Sequence, residues 1–298
     1  LMACRGDRVV GVLPLFEIRS FLAGRLLVSV PYATYGGVLA EDDDAAAALF
    51  QEAKSLGARI QARSIELRSR KAAFDELDIR RTHATFERRL PADPERVIDL
   101  FPRKARAAAR RASERYDLRV TFGDEQLPEL WRLYARSMRR LASPNYPYRF
   151  FESLAQAMPD GHVAQVVRWE GRPVAGLLTL LYRETAMPYF IGLDERVDVY
   201  GLSHYLYRQS MRWAVEHGYR IYDFGRTRVD NAGPFAFKKH CGFEPTMLEY
   251  QVYVPPGRSA PDLSPASPRW TAARRLWRRL PLPITRPLGG WLARSIPG

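Results

Sequence analysis

Hydrophobic and polar positions along this 298-residue chain fall into two regimes, short apolar runs bounded by turn formers and longer stretches of helical character. The short runs predict strands at Arg8 to Leu15, Ser64 to Arg68 and Ile221 to Phe224, the last an aromatic run with the composition of a buried strand. The longer stretches predict helices over Ala45 to Leu56, Leu127 to Leu141, Tyr148 to Met158 and Ser203 to His217. Ser143-Pro-Asn-Tyr-Pro147 breaks the chain between the two central helices, Ser203 reads as a cap, and Gly218 lies just past the end of the helix it opens. Helices alternating with strands imply mixed α/β layers.

The pattern occurs twice. Gly6-Asp-Arg-Val-Val-Gly-Val-Leu-Pro-Leu15 matches Gly171-Arg-Pro-Val-Ala-Gly-Leu-Leu-Thr-Leu180 at both glycines and at apolar positions, each reading as a turn that enters a strand. A Pro-Tyr pair and a glycine follow in both halves (Pro31, Tyr32, Gly37; Pro188, Tyr189, Gly192), then a helix, then a closing strand. The second copy has two helices in front of its strands and the first has none, which predicts that the first copy is incomplete at its amino end and that Leu1 is an internal start. A signal peptide upstream is left open on that reading. The expected domains are 1–93, a basic connecting helix over 94–118, a second copy over 119–255, and a proline-rich linker and basic tail over 256–298.

Charge adds a class of partner. A formal net charge of +13 predicts attraction to phosphates, anionic lipid or acidic glycans. One concentration follows Pro102: read as a helix, it aligns Arg103, Arg106 and Arg110 on one face and offers Ala105, Ala108, Ala109 and Ala112 as a packing side. Those arginines either grip a phosphate or carboxylate array or form a solvated face. The other concentration is the tail, where helical spacing puts Trp270, Ala273, Trp277 and Leu280 on one stripe among Arg274, Arg275, Arg278 and Arg279, with Trp291 and Arg294 beyond. Over 270–298 this suits either an anionic membrane surface or packing on the preceding domain. No run approaches the roughly 18 apolar residues of a transmembrane helix. Two cysteines, Cys4 and Cys241, exclude a disulfide framework and fit a reducing, cytoplasmic setting; no paired spacing suggests a metal site.

The most informative segment is 221–243. An acid, Asp223, ends an apolar strand; Arg226, Arg228 and Asn231 follow in a turn-rich loop; Pro234 suits the first position of a short helix that carries Lys238 and Lys239 and ends at Gly242. Such a loop can hold an anionic substrate. Cys241 is a weak candidate nucleophile, with no activating partner beyond its neighbour His240.

Two α/β copies, a basic connecting helix and the motifs Pro31-Tyr-Ala-Thr-Tyr-Gly-Gly37, Tyr189-Phe-Ile-Gly192, Asp223-Phe-Gly-Arg-Thr-Arg228 and Phe235-Ala-Phe-Lys-Lys239 resemble the FemAB-type transferases, built from tandem GNAT-like domains. With Ser143-Pro-Asn-Tyr-Pro147 and the tail from Pro281 to Gly298, the likeness is closest to the FemAB-like proteins of the exosortase (PEP-CTERM) system. The resemblance implies an acyltransferase that forms an amide on a cell-envelope or exopolysaccharide-related acceptor, at work in the cytoplasm or at the inner face of its membrane. Within it, Asp223 orients or deprotonates the acceptor amine, Lys238 stabilises the oxyanion, Tyr189 positions substrate, and Arg226, Arg228, Lys239 and Asn231 bind phosphate or carboxylate. The segment Arg196-Val-Asp-Val-Tyr-Gly-Leu-Ser203 holds one glycine and nearby acids, a poor pyrophosphate loop, so coenzyme A is not the expected donor; aminoacyl-tRNA or another acyl thioester is open. The competing expectation is an assembly factor without turnover that binds anionic glycan, membrane or nucleic acid.

Overall fold

The computed structural model describes residues 1–21, 23–259 and 271–295. Two compact units emerge: Leu1–Ala84 with Met247–Ala272 and Trp291–Gly298, and Thr85–Thr246 with Ala273–Gly290. The expected boundaries at 93 and 255 therefore shift. Strand His83–Arg89 pairs with Ile221–Asp223 of the second unit, while Tyr250–Tyr253 pairs with Ile65–Leu67 of the first. Pairing between strands so distant in sequence follows from long-range hydrogen-bond registers, which a local pattern does not encode. The basic helix and most of the described tail belong to the second unit as well.

In the first unit, strands Phe16–Ser20 and Gly24–Val28 form a hairpin, helix Asp43–Arg59 follows, and Ile65–Leu67 returns parallel to Gly24–Val28. Asp42 caps the helix by accepting the Ala45 N–H at 2.9 Å. Leu13, Leu27, Leu49, Phe50, Ile65 and Leu67 fill the core. The second unit repeats this order: Arg172–Tyr182 and Thr185–Leu193 form a hairpin, helix Leu202–Glu216 follows, and Ile221–Asp223 returns parallel to Thr185–Leu193. Gly6 and Gly171, matched in sequence, both turn with positive φ, 59° and 77°. The single 11-residue strand of the second unit corresponds to two strands in the first, Arg8–Val12 and Phe16–Ser20, interrupted around Pro14, which cannot donate to a ladder.

Among the described residues the second unit's sheet has eight strands, with Leu118–Phe122, His162–Trp169, Arg172–Tyr182, Thr185–Leu193, Ile221–Asp223, His83–Arg89 and Thr227–Arg228 in spatial order and Pro245–Met247 alongside His83–Arg89. Alternation along His162–Trp169 sets its two faces. Ala164 and Val166 pack with Leu130 and Tyr134 of helix Leu127–Leu141, whereas Gln165 donates to the Leu206 carbonyl of helix Leu202–Glu216 on the other side. The first helix can lie this close because Gly176 and Gly192 stand opposite each other in register; a Cβ on Gly192 would sit 2.2 Å from the Tyr134 nitrogen. Ala105, Ala108, Ala109 and Ala112 bury the inner side of helix Arg103–Arg115, as their spacing requires.

The tail forms helices Thr271–Arg279 and Leu282–Ala293. Trp277 is buried, Arg139 donates to the Leu280 carbonyl at 3.1 Å, and the Arg286 guanidinium lies 5.1 Å from the centre of the Trp131 ring. Of the Trp270, Ala273, Trp277 and Leu280 stripe, Trp277 faces inward, Leu280 is half-buried and Ala273 is exposed; Trp270 lies outside the described residues. Among the described residues no helix is long and apolar enough to cross a membrane.

Candidate active site

Asp223 ends its strand opposite Glu87 and is 0 % exposed. Its Oδ1 accepts from Thr85 Oγ1 at 2.6 Å and from the Gly225 N–H at 2.8 Å, pinning a turn in which Gly225 has a φ of 65°. Helix Ala232–His240 sends Lys238 beneath the same turn, where its Nζ donates to the carbonyls of Phe224 at 2.7 Å, Gly225 at 2.9 Å and Arg226 at 3.5 Å. The ammonium also lies over the Phe86 ring, 5.3 Å from its centre. Burial pulls Lys238 down from 10.5 to about 7, with the Asp223 carboxylate opposing the shift.

This geometry bears on the two roles expected of Lys238 and Asp223. Lys238 has three donor hydrogens and three carbonyl acceptors, all within one turn, so it clasps the loop and does not face an oxyanion. Asp223 is buried with Oδ1 committed to the same loop, so in this structure its carboxylate holds that turn. The other residues of the loop stay near its surface. Arg226 is half-buried; Arg228 lies against Asp230 through two bonds of 2.9 and 2.7 Å; Asn231 and Lys239 are exposed. Pro234 is the third residue of its helix, not the first, a position that still lacks an intrahelical acceptor. Cys241 is buried and its thiol is pushed up to about 12, which removes it as a nucleophile.

Tyr189 lies on the neighbouring strand. The register with Arg172–Tyr182 jumps from Leu178↔Phe190 to Thr179↔Pro188, making Tyr189 the extra residue of a β-bulge. Its half-buried ring packs on Phe190 at 5.0 Å. On the other side of the strand, the parallel ladder to Ile221–Asp223 ends after Thr185↔Ile221 and Ala186↔Tyr222 among the described residues. The described ladder between these two parallel strands therefore stops three residues before Tyr189.

A recess of about 360 Å³ lies at the far end of Thr185–Leu193, lined by Leu193, Asp194, Val199, Gly201, His204 and Phe237. Gly201, not Ser203, occupies the cap position of helix Leu202–Glu216; its φ is 80°, and a Cβ there would sit 2.2 Å from the Ala108 carbonyl oxygen. The first N–H groups of that helix have no intrahelical acceptor and border the recess. Asp194 accepts from Arg196 at 2.8 and 2.5 Å and from Arg136 at 3.1 Å; the Arg196 bonds hold its carboxyl below the usual range. Burial, with His240 nearby, keeps His204 below the ordinary histidine value. Sequence reasoning missed this recess, although the small residues after Tyr200 and the acids before them were visible; what joins His204 to Phe237 is a ring contact of 5.2 Å between two helices. Separately, Arg103, Arg106 and Arg110 do share a face, bordering a shallow recess of about 520 Å³, but Arg106 folds back onto the Phe101 and Asp99 carbonyls. Among the described residues no cluster of three or more His, Cys, Asp or Glu side chains is placed to hold a metal.

A bulged strand, a helix amino terminus bordering a recess, and a strand–strand–helix–strand order that recurs in the other half of the chain define a tandem GNAT-like fold. Comparison with known proteins agrees: residues 101–239 match the acetyltransferase (GNAT) domain family. The solved structure of FemX superposes with a TM-score of 0.64 at 16% identity, over 85% of this chain and 87% of that one. The carboxy-terminal domain of a putative lysylphosphatidylglycerol synthetase from Agrobacterium fabrum gives 0.55 at 11% identity, covering 80% and 83%. A tandem GNAT protein from the clavulanic acid biosynthesis pathway gives 0.54 at 14% identity, covering 85% and 81%. No curated protein matches by sequence.

Proposed function

We propose that this protein transfers an aminoacyl group from an activated ester to an amine of an anionic cell-envelope or exopolysaccharide-related acceptor. The observation that carries the reading is the β-bulge at Tyr189 on the strand whose described parallel ladder to Ile221–Asp223 stops at Ala186↔Tyr222, the strand pair at which this fold would receive a donor carbonyl. In the reaction the amine nitrogen bonds to the donor carbonyl carbon, the carbon–oxygen bond of the ester breaks, and the amine proton leaves with the alcohol or through water. Tyr189 positions the acyl group and Arg226 the acceptor's negative charge, while Asp223 and Lys238 hold the Phe224–Arg226 turn that presents Arg226. The loop before helix Leu202–Glu216 has a single glycine, Gly201, and so few close-set backbone N–H groups for a pyrophosphate, which weighs against coenzyme A. The likeness to a domain of a putative lysylphosphatidylglycerol synthetase supports an aminoacyl donor.

The test is label transfer by the full chain from a mixed pool of aminoacyl-tRNA, with acetyl- and long-chain acyl-coenzyme A as rival donors, to amine-bearing envelope precursors. The expected result is consumption of the ester, reduced by Tyr189→Phe and Arg226→Ala. Transfer only from coenzyme A thioesters overturns the donor. The inward placement of Asp223 and Lys238 favours a second reading, a binding factor without turnover; retention of acceptor with no donor consumed would establish that one instead.

A further inference from the structure

Helix Leu282–Ala293 is amphipathic in an unusual sense. Thr285 and Ala293 are 1% and 6% exposed and, with Gly289 and Gly290, form the inner stripe. Ile284, Leu288 and Trp291, at spacings of four and three, share the opposite side and are 48%, 37% and 52% exposed. Small and polar side chains are turned in, and large apolar ones out. Trp291 stacks at 5.3 Å on Phe21, itself 74% exposed. In the preceding helix Leu276 is 62% exposed, and Arg275, Arg278 and Arg279 are exposed around it. From Leu263 to Gly298 the sequence contains seven arginines and no aspartate or glutamate.

We propose that helices Thr271–Arg279 and Leu282–Ala293 form a docking surface for an anionic lipid bilayer. An outward stripe of isoleucine, leucine and tryptophan flanked by arginine suits the boundary between acyl chains and headgroups, where apolar burial and attraction to acidic lipid act together. A nucleic acid would use the arginines and leave the apolar stripe in water. A second copy would bring two surfaces of the same sign together. The surface lies away from the Asp223 loop in sequence, and the proposal does not depend on the reaction assigned to that loop.

The experiment is co-sedimentation of the full chain with vesicles of phosphatidylcholine alone and with one-third phosphatidylglycerol, at low and high salt. Binding is expected only to the acidic vesicles and weakens with salt. Arg275→Gln with Arg279→Gln lowers partitioning on the order of 30-fold, given the usual contribution of an arginine near an acidic surface. Ile284→Glu with Trp291→Glu abolishes it, with unchanged circular dichroism and melting as the control for folding. As an independent readout, brominated lipid quenches the tryptophan emission of the wild type, and Trp291→Phe removes most of that quenching. Equal sedimentation with both vesicle types, or binding that survives the apolar double substitution, overturns the proposal. So does concentration-dependent dimerisation without lipid that the apolar substitution abolishes, which would make this face an interface between copies. RNA binding lost only in the arginine variant, without vesicle binding, also overturns it.

Discussion

Gly201→Ala probes the join between the recess and helix Arg103–Arg115, and its cost can be worked from two separable parts. The residue has a φ of 80°, so any side chain there pays about 1–2 kcal/mol for the left-handed backbone. A Cβ would also sit 2.2 Å from the Ala108 carbonyl oxygen and 2.9 Å from its carbon, backbone atoms that cannot swing aside, and forcing the helix back adds about 1–3 kcal/mol. Gly171→Ala is the matched control: its φ is 77°, and nothing lies within 4 Å of the added Cβ. Gly201→Ala should therefore destabilise by roughly 2–5 kcal/mol and Gly171→Ala by about 1–2 kcal/mol. At about 2–4 °C per kcal/mol for a unit of this size, the steric part alone lowers the melting transition by roughly 2–12 °C beyond the control in scanning calorimetry. Equal shifts for the two variants would refute the close approach of Gly201 to the Ala108 carbonyl.

Three further outcomes are expected. Lys238 is held at about 7 when folded against 10.5 as its reference. Between those values the unfolded chain binds a proton that the folded chain does not, so stability rises with pH by up to about 1.4 kcal/mol per unit, and Lys238→Met removes that slope; identical urea midpoint profiles against pH in the two proteins would contradict the burial of the ammonium. Asp194 is depressed below its reference of 3.8 by Arg196, so its contribution is present above that value and is lost as pH falls through the lower folded value; Asp194→Asn should cost about 1–3 kcal/mol at neutral pH, and the gap should close in acid. In native protein a disulfide reagent should label Cys4 quickly and Cys241 only after denaturant is added, since Cys4 is exposed and Cys241 is buried; equal rates would show that the second unit opens around helix Ala232–His240.

Much of the architecture was legible in the residues because it is local. Leu127 to Leu141 is the helix its pattern predicts, the alanine face of Arg103–Arg115 is buried, Gly218 turns with a φ of 85° after helix Leu202–Glu216, and the Gly6 and Gly171 repeats open matching hairpins. Periodicity, turn chemistry and internal repetition each act over a few residues, so the chain states them directly. The site was legible in composition only. Sequence brought Asp223, Arg226, Arg228 and Lys238 into one segment, but a strand end and a helix four turns of chain later could face solvent or each other with the same spacing.

Tertiary structure decided that question. Thr85, 138 residues away in sequence, takes Asp223 into the sheet, and the Phe224, Gly225 and Arg226 carbonyls draw Lys238 beneath the loop because a buried ammonium must find acceptors. The pairing of His83–Arg89 with Ile221–Asp223 and of Tyr250–Tyr253 with Ile65–Leu67 rests on ladder registers that no local pattern carries. In the tail, helical spacing already put arginine and large apolar residues on shared helices; packing chose which stripe turned in. Trp277 went inward and Trp291 stayed out because Thr285, Gly289 and Gly290 are small enough to let their helix lie against Asn145 and Pro147, leaving the apolar side of that helix exposed.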